Sequence, residues 1–122
     1  KWELAVKLMQ ITHRETGTVI ARRVTQATNI LSRLLGLMFK KDLGEFDGLL
    51  LQPCNSIHTF FMRFPIDVVF LSSSNEVVKV IRAMPPWRFS WLYLRAVKTL
   101  ELRAGTLPVD FTEGTFVEVI HV

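Results

Sequence analysis

This 122-residue sequence is poor in cysteine, in long apolar runs and in concentrated charge. Its only cysteine, Cys54, cannot form an internal disulfide. No apolar run approaches the about 20 residues that a membrane-spanning helix needs, so we predict no membrane span. The net charge of +4 is spread along the chain without a block of like charges. These absences argue against nucleic-acid binding, because a nucleic-acid groove concentrates basic residues on one face.

The length and the hydrophobic content of 49% are those of one globular domain, so we predict a single domain over residues 1–122. The compartment stays open between cytoplasmic and exported, because a lone cysteine does not fix it. The chain starts at Lys1 and not at methionine, so we expect that its N-terminus can be trimmed.

Short stretches rich in β-branched and aromatic residues predict strands. They cover residues 4–11, 18–24, 49–52, 57–61, 66–71, 76–81, 96–103 and 115–121. An apolar stripe of period 3.6 predicts one amphipathic helix near residues 28–38, with Thr28 as its N-cap. The stripe consists of Ile30, Leu31, Leu34, Leu35 and Met38. A helical turn is expected between the last two strands, in residues 107–114.

The strands follow one another without a regular βαβ alternation. This order predicts an α+β, mostly β fold with a compact and mainly antiparallel sheet. The sheet would be sandwich-like or a partly closed barrel, with the helix covering one side.

Cys54, His58 and Met62 are spaced four residues apart, which raises the possibility of a copper-type metal site. A four-residue step spans about 6 Å in a helix but about 13 Å in a strand. Two ligands of one ion lie within about 4 Å of each other, so only a coiled segment would suit. The strand-forming residues and Pro65 favour an extended chain. We therefore predict no metal or other cofactor, and keep the copper-binding protein as a weaker alternative.

Asp67 lies among apolar residues of a predicted strand, where a carboxylate needs an answering group. His58, Thr59, Arg33, Arg63 or backbone N–H groups are the candidates. A His58–Asp67 pair could serve acid/base chemistry, line a binding pocket or be purely structural. Glu101, between two leucines of another strand, is expected on the outer face.

Residues 85–94, PPWRFSWLYL, open with two prolines and predict an aromatic loop. Such a loop could contact a partner or roof a pocket beside His58. The candidate ligand-binding residues are accordingly Arg33, His58, Thr59, Asp67 and Trp87.

Three motifs resemble the bacterial and archaeal "domain of unknown function 192" family. They are Arg33-Leu34-Leu35-Gly36-Leu37-Met38, Pro65-Ile66-Asp67-Val68-Val69-Phe70-Leu71 and Leu100-Glu101-Leu102-Arg103-Ala104-Gly105. The sequence departs from the family pattern at residues 58–62 and at Gly114-Thr115. The resemblance, over residues from about 20 to 120, implies a compact, mostly β fold with a short helix and supplies no activity.

The function that this sequence predicts is that of a small binding or accessory module of unknown ligand. Its polar pocket would lie near His58 and Asp67, beside the aromatic loop. An acid/base enzyme that uses these two residues is the alternative. The partner is an unidentified small molecule or protein, and the oligomeric state is open.

Overall fold

The computed structural model describes residues 7–122, except for the side chains of Ile30, Leu31 and Leu34. Seven strands form one sheet in the order β5-β4-β6-β3-β2-β1-β7. The strands are β1 Met9–His13, β2 Val19–Ala27, β3 Gly48–Leu51, β4 Ile66–Leu71, β5 Val77–Met84, β6 Lys98–Arg103 and β7 Val117–His121. The mostly β prediction is confirmed, although residues 4–6 of the first predicted strand lie outside the described part.

The sheet is mixed and curls into a half-barrel. Strands β2 and β3 pair in parallel, whereas the other neighbouring pairs are antiparallel. The two edge strands, β5 and β7, approach each other at one end, where Glu76 and Phe116 form an antiparallel bridge. Three backbone hydrogen bonds reinforce this seam: Val77 to Thr115, Gly114 to Val77 and Val117 to Asn75.

Both faces of the central strands are buried. All six residues of β4 are buried, because alternate side chains enter two separate apolar clusters. Val69 and Leu71 pack on one face, in a cluster that Leu107 and Phe111 help to cover. On the other face Ile66, Val68 and Phe70 pack against the irregular segments around residues 37–43, 57–62 and 84–96. We call this second face the loop-covered face.

One six-residue helix, α1 Ile30–Leu35, replaces the longer helix predicted for residues 28–38. Its N-cap is Asn29, whose side chain accepts a hydrogen bond from the Ser32 amide, and not Thr28. Gly36 ends the helix with a φ of 45°. Three of the five residues in the predicted apolar stripe, Ile30, Leu31 and Leu34, have side chains outside the described part, so its amphipathic character stays a prediction.

Two other local predictions are wrong. Residues 57–61 do not form a strand: His58 makes an isolated bridge with Phe89, and the chain then turns. The turn places Phe61 at a φ of 63°, which a strand does not permit. Residues 107–114 form irregular turns and not a helical turn. Within residues 7–122, no helix has the length and apolar character required to cross a membrane.

Candidate functional site

Backbone amides satisfy the buried Asp67 carboxylate. It accepts hydrogen bonds from the N–H groups of Ala83 at 2.8 Å, Gly105 at 3.0 Å and Leu107 at 3.2 Å. These donors supply the hydrogen bonds that a buried carboxyl group requires. Of the groups that the sequence offered to answer this charge, the backbone N–H groups are the ones that do.

His58 and Asp67 lie on opposite faces of the sheet, so the predicted pair does not form. Asp67 is directly paired with Leu102, whose side chain belongs to the cluster of Val69 and Leu71. Its neighbours Ile66 and Val68 point to the loop-covered face. His58 lies in the loops on that face. Asp67 points to the opposite face because side chains alternate along β4. His58 is not on a neighbouring strand, because residues 57–61 do not form the predicted strand.

A cleft of about 370 Å³ opens on the loop-covered face. One wall of the cleft is formed by the end of α1 and the residues that follow it. The opposite wall is formed by residues 51–58. The apolar lining comes mainly from Leu35, Leu37, Met38, Leu51, Ile57 and Met62. Six polar or ionisable residues complete this lining, namely Arg33, Cys54, Asn55, Ser56, His58 and Glu101. The volume is at the lower end of the range for small-molecule sites.

Glu101 is buried in the cleft and not on the outer face that alternation predicted. It lies on β6 between Leu49 and Val68 of the neighbouring strands, on the loop-covered face. Only 3% of the residue is exposed, and burial raises the pKa of its carboxyl from 4.5 to about 8. Its Oε1 would be 4.0 Å from a Cβ at Gly36, which places the carboxyl beside the end of α1.

No hydrogen bond among the described residues involves the Glu101 carboxyl, and burial is the cause of its raised pKa. At neutral pH the group is therefore a protonated acid, which can donate one hydrogen bond and accept others. The carboxyl lines the cleft, where water or a ligand can pair with it.

His58 and Arg33 bring further donors to the lining of the cleft. The Nδ1 atom of His58 accepts a hydrogen bond from the Phe60 amide at 3.1 Å, so the neutral ring carries its proton on Nε2. One guanidinium nitrogen of Arg33 donates to the Pro53 carbonyl at 3.2 Å. The four remaining guanidinium N–H groups make no hydrogen bond to the residues that the structure describes.

Cys54, His58 and Met62 all line the cleft, although they do not share a strand. The Cys54 thiol donates to the Ser56 carbonyl, and burial is the main cause that raises its pKa. A metal needs the thiolate, which this setting disfavours. Across residues 7–122 no three His, Cys, Asp or Glu side chains are grouped to hold a metal ion.

The other predicted site residues have different positions. Thr59 is fully buried beside the cleft, and its hydroxyl binds the Pro85 carbonyl and the Arg88 amide. Trp87 is exposed on the surface next to it. Arg33 and His58 thus reach the cleft, whereas Thr59, Asp67 and Trp87 are absent from its lining. Sequence reasoning missed Glu101 as a site residue.

Fold and cleft together define the class: a small, mostly β protein built on one curled mixed sheet, with an open cleft on the loop-covered face. The model of the family described as "Uncharacterized ACR", DUF192, matches residues 10–119. The chain belongs to this family, whose function is uncharacterised. The resemblance noted in the sequence is thereby confirmed.

Two archaeal relatives are named as UPF0127 proteins. One, from Pyrococcus furiosus, is 40% identical over 78 residues, which are 60% of this chain and 65% of the relative. The other, from Thermococcus sibiricus, is 39% identical over 82 residues, or 63% and 52% of the two chains. The chain thus spans about half to two thirds of the length of these relatives.

Two solved structures share the fold with a TM-score of 0.76 and 19% identity. One is a protein of unknown function from Novosphingobium aromaticivorans, with 91% of this chain and 83% of the other covered. The second is a Sinorhizobium meliloti protein named "putative transcription regulator", with coverage of 98% and 97%. At this identity the likeness extends to the fold alone.

Proposed function

We propose that residues 1–122 act as one small-molecule-binding domain, and that the cleft takes a compact carboxylate with a short apolar body. The observation that carries this proposal is the Glu101 carboxyl, which is buried, protonated at neutral pH and without a hydrogen-bond partner among the described residues. A ligand atom in the cleft can pair with this carboxyl.

Several polar groups of the cleft are donors. The Glu101 O–H, the His58 Nε2–H and the free guanidinium N–H groups of Arg33 can all meet oxygen lone pairs. A ligand carboxylate presents about four acceptor sites and matches the fork of an arginine. The apolar lining would enclose a short hydrocarbon body, as is common in ligand sites.

The test is a titration of the ¹⁵N-labelled protein with straight-chain monocarboxylates from acetate to octanoate, beside the corresponding alcohols. We expect saturable shifts at the amides of residues 33–38, 54–58 and 101 with carboxylates and not with alcohols. Arg33→Met should weaken binding by about tenfold or more, because a hydrogen bond to a charged group contributes about 1.5–3 kcal/mol.

Two variants are matched controls. Arg22→Met removes an exposed arginine away from the cleft, and Asp67→Asn alters the carboxylate on the opposite face of the sheet. Both should bind like the unaltered protein, although Asp67→Asn loses stability. The proposal fails if no carboxylate moves the cleft amides, or if Arg33→Met binds as well as Arg22→Met.

A further inference from the structure

We propose that a second surface, beside the cleft, docks the protein onto an anionic lipid bilayer. The surface is an aromatic patch in which each ring contacts the next. The ring-centroid distances are 5.2 Å for Phe39–Phe61, 4.7 Å for Phe61–Trp87, 6.0 Å for Trp87–Phe60 and 6.2 Å for Phe60–Phe89.

The exposed apolar surface continues along the same loop. Phe89 is 74% exposed, Trp91 82% and Leu94 81%. Single exposed apolar residues are ordinary, whereas a contiguous group of this size marks a contact surface. Trp and Phe with flanking cations are the side chains that settle at the boundary between lipid headgroups and acyl chains.

Several of these rings belong to residues whose backbone conformation is unfavourable for a bulky side chain. Phe39, Phe61 and Trp87 have φ values of 66°, 63° and 66°. Bulky residues seldom adopt positive φ, because it costs free energy that the surrounding structure must offset. Hydrogen bonds between the loops fix the arrangement: Phe39 donates to the Phe61 carbonyl, and Trp87 to the Thr59 carbonyl.

The charge around the patch indicates which kind of surface the patch binds. Lys40, Lys41, Arg63 and Arg88 are exposed chain neighbours of the patch rings. The three segments that build the patch, 35–41, 57–64 and 85–95, contain no aspartate or glutamate. The exposed Asp42 follows Lys41 directly, so the rim is mainly, and not purely, cationic. An apolar centre with such a rim complements a bilayer that contains anionic lipid, to which each nearby cation strengthens binding about fivefold.

The experiment is co-sedimentation with vesicles of phosphatidylcholine, alone or with 30% phosphatidylserine. We expect binding to the anionic vesicles only, weakened by salt, with a blue shift of tryptophan emission. Trp91→Ser and the double variant Lys40→Gln/Lys41→Gln should each reduce the partition coefficient on the order of tenfold. Trp91→Phe should keep most of the binding.

The matched control for charge is Lys7→Gln/Arg22→Gln, which removes two exposed cations outside the patch segments. The control for apolar exposure is Val109→Ser, at a site that is 96% exposed. Both should bind vesicles like the unaltered protein. The proposal is overturned if no vesicle is bound, if the controls lose as much binding as the patch variants, or if Trp91→Ser abolishes only self-association measured by sedimentation velocity. A carboxylate that binds the cleft without vesicle binding would leave the proposed function standing and sink this one.

Discussion

Two buried carboxyl groups on neighbouring strands have opposite hydrogen-bond surroundings. Asp67 accepts hydrogen bonds from three backbone amides, whereas the Glu101 carboxyl accepts none from the described residues, and burial raises its pKa to about 8. The loops on one face of the sheet bring backbone N–H groups to Asp67, and the opposite face surrounds Glu101 with the cleft and its lining. Residue type alone does not decide how a buried acid is satisfied; the backbone around it does.

Glu101 should make the stability of the protein fall as pH rises. In the folded state its pKa is about 8, and the ordinary value is 4.5, so the folded state retains a proton that the unfolded state releases. The contribution is fully present below pH 4.5, decreases by about 1.4 kcal/mol per pH unit above it and levels off above about pH 8. Glu101→Gln should remove this slope, measured by urea unfolding from pH 5 to 9. Parallel curves for the two proteins would contradict the assignment.

The sequence indicates that Asp67 needs an answering group and includes backbone N–H groups among the candidates, but it does not single them out. The apolar neighbours of Asp67 indicated burial correctly, since a buried carboxylate must be satisfied. The position of His58 relative to the sheet depended on the turn at 59–62, which strand propensity did not predict. Alternation predicts an outer position for Glu101 only if one face of β6 meets solvent, and it does not. The apolar run of residues 68–71 in β4 is the available signal that both faces of the central strands are covered.

At the scale of elements, Thr59 makes several of the hydrogen bonds that tie together the loops on the loop-covered face. The Thr59 hydroxyl donates to the Pro85 carbonyl at 2.7 Å and accepts from the Arg88 amide at 2.9 Å. Its amide donates to the Arg88 carbonyl. Thr59, predicted to touch a ligand, instead fastens the 57–62 loop to the 85–94 loop.

Thr59→Val keeps the shape and removes the hydroxyl, so it should destabilise the protein by roughly 1–3 kcal/mol, because a buried amide and carbonyl lose their partner. The matched control is Thr12→Val. The Thr12 hydroxyl is buried and has no hydrogen-bond partner in the described chain, so its removal should be neutral or stabilising. Thermal unfolding of both variants measures the difference. Equal losses would show that the bonds of Thr59 contribute nothing beyond burial.

Strands were the elements that the sequence predicted best, because β-branched runs bounded by turns leave few alternatives. The hairpin β1–β2 and the hairpin β4–β5 are both observed. The parallel pairing of β2 with β3 was not predictable from periodicity, since it depends on the crossover through α1 and residues 36–47. The same crossover cuts the predicted helix short at Gly36, where the chain must turn toward the cleft.

At the scale of the whole molecule, the edge strands β5 and β7 of the half-barrel meet at one end and form a seam there. Beyond the Glu76–Phe116 bridge, the Glu113 carboxylate accepts a hydrogen bond from the Val80 amide at 2.8 Å. That bond is the main cause of the lowered pKa of Glu113. A side chain thus occupies an N–H group of the edge strand β5 that would otherwise be open to another strand.

Glu113→Ala should open this seam locally. We expect the Val80 amide to exchange with solvent several-fold faster, while amides of the central strand β4 keep their protection. Lowering the pH through the pKa of Glu113 should have the same effect, because the seam bond favours the charged form and is lost on protonation. Glu118→Ala, at an exposed glutamate of β7, is the control for amide exchange by NMR. Unchanged exchange at Val80 would contradict this role.

The imidazole of His58 belongs to two surfaces at once. It lines the cleft, while its backbone bridges to Phe89 and its ring stacks on Phe60 at 5.2 Å. Anything that shifts these rings therefore reshapes a wall of the cleft, and a guest in the cleft constrains the rings. Such linkage is reciprocal by thermodynamic necessity. A solute in the cleft that strengthens adhesion to a bilayer must itself be retained more tightly once the protein has adhered. His58, which both surfaces share, would then couple the occupancy of one surface to that of the other.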